Sequence, residues 1–319
     1  MRYLLFSLLF LSLSVACEDK DENTTPPPTP ETPKPEEPKP EEPKPETGNA
    51  PTFLKGENPA KNGKWTLVPE FSDEFNGDSL DQAKWCADPE WDNWQWLGRV
   101  PGLFQEKNAN VKDGSLQIEV GFLEEPIDKV SYGVSRNYTL YGALVRNRKP
   151  SPVGYYFECR MKMNKSEMGG GFWLNTHPQR NTWEKQHEID IQECVGCTSD
   201  ITENWGKNWD YIMHSNAINT PKNERDQDMV LLKTKNHANY HVYGAWWKSP
   251  TEIICFLDGK HVYTLTPPVP FSTPSHIQMS IEYYDWNPIP EDGGKLKILS
   301  KEDRTSHYDW VRVWKISEE

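Results

Sequence analysis

Residues 187–194 read His-Glu-Ile-Asp-Ile-Gln-Glu-Cys, which sets Glu188, Asp190 and Glu193 close together. Paired carboxylates are what glycoside hydrolysis needs. One attacks or stabilises the anomeric carbon while another protonates the leaving oxygen. A third acid between them raises its neighbours' proton affinity by like-charge repulsion and holds a shared hydrogen bond. On a regular strand Glu188 and Asp190 face one way, and Ile189 and Ile191 the other. The isoleucines then pack between layers and the acids line an outer face. Glu193 breaks this parity. One extra residue before it, a β-bulge, returns it to the side of the other two acids. Like charges crowded on one strand face repel, so packing alone gives no reason to choose them. By itself Glu-x-Asp-x-x-Glu is a weak signal, and its meaning comes from context.

The context is aromatic. The chain holds 14 Trp. Trp91, Trp94 and Trp96 fall in PEWDNWQWLGR, and Trp205 and Trp209 in ENWGKNWDY, both loop-like and polar. Clustered loop Trp marks a binding surface, in competition with a role stapling loops to the core. Sugar rings offer apolar CH faces to such rings while their hydroxyls seek Asp, Glu, Asn and Arg.

Strands must position these groups, because helix signals are scarce. Tyr155–Met163 puts Phe157, Cys159, Met161 and Met163 on one face and Glu158, Arg160 and Lys162 on the other. Residues 115–120, 187–193, 241–247, 276–284 and 308–316 also read as strands, and Asp258-Gly259 signals a tight hairpin. Many short strands separated by turns predict an all-β sandwich or barrel, without a second folded domain.

The front of the chain has other work. Residues 1–17 hold an apolar run after Arg2 that ends Ser-Val-Ala-Cys. The run is too short for a membrane span and reads as a secretion signal whose Cys17 is lipidated. Residues 18–50 contain PKPEEPKPEEPKPE, an extended and solvated spacer. Residues 51–319 are the working domain, held away from a membrane. It carries about −8 of the net charge of −13, which argues against nucleic acid. Cys194-Val-Gly-Cys197 has redox spacing without a βαβ setting, so plain thiols or one local disulfide are expected.

Residues 65–319 resemble glycoside hydrolase family sixteen, in the branch of β-agarases, β-porphyranases and κ-carrageenases. The segments carrying the resemblance are Phe71-Ser-Asp-Glu-Phe, Asn110-Val-Lys-Asp-Gly, Gly170-Gly-Phe-Trp-Leu, the acid strand, Met213-His-Ser-Asn and Tyr308-Asp-Trp-Val-Arg-Val-Trp. The resemblance implies a jelly-roll β-sandwich, similar to concanavalin, with an open cleft on its concave sheet and a retaining reaction. It makes Glu188 the nucleophile, Asp190 its electrostatic helper and Glu193 the general acid/base. Trp173 would floor the subsite beside the cut, His214 would contact sugar or the acid cluster, and Glu282 would bond a substrate hydroxyl. It also implies a structural calcium ion near Asp309 and the Asp113-Gly114 turn, and no cofactor for catalysis.

The expected substrate is a red-algal galactan, porphyran or agarose, cut at β-1,4-galactosidic bonds. Trp94 and Trp96 are expected to line the cleft. Porphyran's sulfate calls for a local Arg or Lys, and Arg99, Arg146 and Arg148 are candidates, with Arg99 nearest the clustered Trp. Two readings compete: a laminarinase-type β-1,3-glucanase, and a non-catalytic surface glycan-binding protein. The expected setting is a monomer, lipid-anchored at a bacterial outer membrane.

Overall fold

A computed structural model describes residues 48, 50–61 and 63–317. The signal segment and Cys17 lie outside the described residues, as does nearly all of the spacer. In chain order the strands are β1 (Lys64–Leu67), β2 (Trp85–Cys86), β3 (Gly102–Phe104), β4 (Ala109–Lys112), β5 (Ser115–Glu119), β6 (Gly121–Ser131), β7 (Val134–Asn147), β8 (Tyr155–Lys162) and β9 (Gly169–Asn175). They continue as β10 (His187–Val195), β11 (Ile212–Asn219), β12 (Glu224–Leu231), β13 (His241–Ser249), β14 (Glu252–Leu257), β15 (Lys260–Leu265), β16 (His276–Glu282) and β17 (Thr305–Ser317). Among the described residues one short α-helix, α1, spans Gly294–Ile298.

The strands form two layers. One runs β15-β14-β13-β8-β17-β5-β4, with β1 on β17; the other runs β12-β11-β10-β9-β16-β7-β2, with β3 and β6 along β7. The main core lies between them. Alternation supplies it: Phe157, Cys159 and Met161 from β8, Ile189 and Ile191 from β10, Ile277, Met279 and Ile281 from β16, and Val311 and Val313 from β17. The Asp258-Gly259 turn joins β14 to β15 with both residues at positive φ, 50° and 77°, as a tight hairpin demands.

The outer face of the first layer is not left to solvent. Trp65, Tyr156, Trp246, Phe256 and Trp314 form a second buried cluster there, with Phe53 and Ala60 packed on it. The chain from residue 51 is therefore clamped across this back face. Leu54 N donates to the Gly259 carbonyl at 2.9 Å. Thr52 N donates to Glu158 Oε2 at 3.0 Å, and Trp314 Nε1 to Glu158 Oε1 at 2.8 Å. Glu158 is fully buried. Desolvation pushes its carboxyl up to about 7, against the pull of those two donors.

Two features have no sequence signature. The β6–β7 hairpin turns at Tyr132-Gly133, and its first strand, GFLEEPIDKVS, is largely exposed and shows no alternation. Edge strand β12, ERDQDMVL, is likewise mostly exposed.

Candidate active site

Strand β10 has the predicted irregularity. Against β9, Asp190 lies opposite Trp173 and Gln192 opposite Phe172, with the register shift between them. Ile191 is the extra residue. Ile189, Ile191 and Cys194 point into the core. Glu188, Asp190 and Glu193 line a cleft of about 580 Å³ on the outer face of the second layer.

The floor beside Glu193 is kept low. Glu193 pairs with Gly171 on β9, which pairs with Ser280 on β16. A side chain at Gly171 would overlap the Gln192 carbonyl, so only glycine fits. Two residues along the strand, Trp173 forms a wall. Its Nε1 donates to Ser280 Oγ at 3.0 Å, and Trp96 meets it edge-on at 5.7 Å.

The acids are bound to amides on flanking strands. Asn175 Nδ2 donates to Glu188 Oε2 at 3.1 Å. Asn216 Nδ2 donates to Asp190 Oδ2 at 3.0 Å and to Glu193 Oε2 at 3.2 Å, so one donor ties two acids together. His214 Nδ1 lies 3.4 Å from Glu193 Oε2, with its ring 4.3 Å from Trp209. Burial, then the charges of Glu193 and Glu282, raises the proton affinity of Glu188. Burial, then Glu188 and Glu193, raises that of Asp190, while Asn216 opposes the shift. Both shifts favour a proton held within the cluster over three bare carboxylates. A cluster holding both a proton and a negative charge is what acid-assisted displacement needs.

Glu282 faces the same cleft. Arg99 Nε lies 3.5 Å from its Oε2, and the Arg99 guanidinium sits 5.2 Å over Tyr284. Burial lifts the Glu282 carboxyl to about 7, with Arg99 pulling it down.

The structure corrects several expectations for the loop residues. Trp94 reaches the cleft lining, but its ring is only 3% exposed. It packs on His177 at 4.6 Å and under the Arg146 guanidinium at 4.2 Å, so it braces the wall more than it offers a stacking face. Arg146 is fully buried, bonded to Gln278 Oε1 at 3.1 Å, and cannot reach a sulfate. Arg148 is held by Gln82 outside the cleft lining. Of the three Arg candidates, Arg99 lines the cleft. Trp209 is buried, whereas Trp205 is exposed and lies outside the lining. Cys194 and Cys197 are both free thiols.

The Asp309 carboxylate is ion-paired with Arg160 at 2.7 Å. Gly114 sits at φ +74° in the β4–β5 turn. Among the described residues no group of three or more His, Cys, Asp or Glu side chains is gathered for a metal.

The family described as Beta-porphyranase A-D, GH16 domain, matches residues 65–316. β-Porphyranase B of Zobellia galactanivorans is 42% identical over 84% of this chain and 90% of its own length. β-Porphyranase C of the same organism is 34% identical over 85% of this chain and 84% of its own. This chain belongs to that family. The solved porphyranase B of Zobellia galactanivorans superposes with a TM-score of 0.76 at 40% identity, covering 84% of this chain and all of that one. A solved β-agarase A in complex with oligoagarose, 20% identical with a TM-score of 0.64 over 82% of this chain and 96% of that one, shares the fold. The sandwich is the jelly roll of these hydrolases, and the protein is a glycoside hydrolase of porphyranase/agarase type, needing no cofactor for catalysis.

Sequence reasoning missed several residues in this hydrolase's site. Asn175 and Asn216 carry no signal of their own; only strand pairing brings them to the acids. Trp183, 55% exposed, and Tyr132 and Tyr284 also line the cleft. Trp183 was legible in composition, as another Trp in a polar loop.

Proposed function

We propose that the hydrolase cuts β-1,4-galactosidic bonds inside porphyran chains with retention of configuration. The observation that carries this is the set of three acids on one bulged strand, over a glycine floor. Glu188 attacks the anomeric carbon while Glu193 gives its proton to the glycosidic oxygen. The C–O bond breaks, the leaving sugar departs as an alcohol, and a glycosyl-ester forms on Glu188. Glu193 then takes a proton from water as that water attacks the anomeric carbon, and the bond from that carbon to the Glu188 oxygen breaks. Sugar is released and both carboxyls return to their starting states. Asp190 holds charge balance between them, and Asn216 steadies it and Glu193 together. Trp96 and Trp173 supply stacking faces. Arg99, forked and cationic at the cleft wall, is suited to a sulfate ester.

Porphyran is favoured over agarose because the β-porphyranase relatives reach 42% identity, against 25% for the β-agarase of Phocaeicola plebeius. Incubating purified protein with porphyran, agarose and laminarin and sizing the products tests the reading. Release from laminarin alone would sink it, and binding without release from any polymer would favour a glycan-binding protein.

Three further assignments belong to the same proposal. Lipidation at Cys17 and outer-membrane anchoring predict that Cys17→Ala moves the protein out of the membrane fraction. A monomer predicts a single-chain mass in light scattering. Calcium at Asp309 and the Asp113-Gly114 turn must share the carboxylate with Arg160 and draw mainly on carbonyl oxygens. It predicts a chelator-sensitive Tm, restored by calcium.

A further inference from the structure

The clustered Trp205 and Trp209 are not used by the cleft, yet they join it. Tyr284, in the cleft lining, stacks on Trp286 at 5.2 Å and 18°. Trp286 meets both Trp205 and Trp209 at 4.8 Å. Trp209 in turn packs on His214, which borders Glu193. An aromatic path therefore runs from the acid/base residue outward, and it ends at Trp205, which is 58% exposed.

This exposed ring is held in place by construction. Trp205 lies in a 3-10 turn, Asn204–Gly206. The turn seats directly on Trp286, since a Cβ on Gly206 would come 2.7 Å from that ring. Glu203 N donates to the Trp286 carbonyl at 2.9 Å, and Thr202 Oγ1 donates to Asn287 Oδ1 at 2.5 Å. Asn287 Nδ2 donates onward to the Glu167 carbonyl at 2.8 Å and the Cys197 carbonyl at 3.0 Å. The loops after β10 and β16 are thus tied together around one outward Trp. Glu203 and Asn204, the two residues before it, are exposed, as is Asp285, the residue before Trp286. A rigid aromatic face rimmed by hydroxyl-binding groups suits a pyranose ring.

We infer that Trp205, braced by Trp209 and Trp286, is a stacking subsite on the leaving-group side of the cut, taking a ring of the same polysaccharide chain beyond the leaving sugar. Glu193 faces the leaving sugar, and the chain departing from it runs toward the His214–Trp209 side. The inference rests on the proposed function, because it needs a polysaccharide in the cleft.

The test compares wild type with Trp205→Ala and Trp205→Phe. Porphyran, agarose and laminarin are each offered, and every polymer that wild type cuts is carried into the comparison. The expected result for Trp205→Ala is a roughly tenfold rise in KM on polymer with kcat nearly unchanged. On oligosaccharides labelled at the reducing end, the cut should move toward that end, because fewer sugars are held beyond it. Trp205→Phe should recover most of the loss, and Tm should be unchanged in both variants. Equal KM and equal cut positions in wild type and Trp205→Ala overturn the subsite while leaving the activity standing. A rise in KM that comes only with a fall in Tm overturns it too. If wild type cuts none of the three, the functional reading fails, and retardation of both proteins in gels containing each polymer decides the subsite: equal mobility overturns it.

Discussion

Replacing Arg99 with Ala separates recognition of sulfate from upkeep of the acid cluster. The Arg99 side chain is 45% exposed and its Nε lies 3.5 Å from Glu282 Oε2. A charge-assisted hydrogen bond is worth about 1.5–3 kcal/mol, and the exposure of Arg99 places its contact with a sulfate near the lower end. About 1.4 kcal/mol corresponds to tenfold, so kcat/KM on porphyran should fall roughly tenfold. On chemically desulfated porphyran the direct contact does not exist, leaving only the effect through Glu282. Burial already lifts that carboxyl to about 7 with Arg99 opposing. Removing Arg99 raises it further, so Glu282 keeps its proton to higher pH and donates where it had accepted. The loss on desulfated polymer should stay within about threefold, and the pH profile should shift upward near neutrality. Arg99→Lys should recover part of the loss on sulfated polymer only. Initial rates on both polymers, measured from pH 5 to 9, decide the matter. Equal losses on the two would mean Arg99 only supports Glu282. No loss on either would remove it from the substrate site.

Glu188→Ser should lower kcat by roughly 10⁴-fold or more while isothermal titration still reports oligosaccharide binding. Glu193→Gln should lose roughly 10²–10⁴-fold on polymer but far less on an aryl glycoside whose leaving group needs no proton, as rates on both substrates will show. Glu158 and Glu282 should stabilise the fold more at pH 5 than at pH 8, against the opposite pull of buried His187 and His276, both lowered to about 4. Glu158 and Glu282 both rise from 4.5 to about 7 on folding, so the fold holds protons that the unfolded chain releases. Their contribution is complete below about pH 4.5 and is lost as pH climbs through about 7, on the order of 3 kcal/mol for Glu158 alone. A Glu158→Gln variant whose urea midpoint changes between those two pH values just as wild type's does would refute the Glu158 part. Phe53→Ala should cost about 1–3 kcal/mol in urea unfolding with kcat unchanged, since the ring packs on the back sheet and not in the cleft.

The acid strand was legible because its logic is local. Parity along Glu188–Glu193 requires the two isoleucines inside and one extra residue before Glu193, and the register shift falls between Asp190 and Gln192. The Asp258-Gly259 hairpin was legible for the same reason, since a positive φ at both residues is written in their types. What failed was everything decided by distant contacts. Trp94 lines the cleft as its sequence suggests, but Arg146, His177 and His276 surround its ring and leave little of it to stack on. Arg146 reads as a surface cation and is buried, because β7 runs beneath the Trp loop. Glu158 falls on the alternate face of a strand, as expected, but the segment at Thr52 covers that face. Asn216 acquires its role only through the pairing of β10 with β11.

The clamp at residues 51–60 also fixes where the domain can be held. Residues 51–60 lie on the sheet without the acids, the opposite side of the sandwich from the cleft. A pull along the chain from that end would load the Leu54–Gly259 and Thr52–Glu158 bonds and the aromatic cluster around Phe53. The acid strand lies in the other layer, out of the line of force. A handle attached at residue 51 would therefore meet the domain on the face away from the acids.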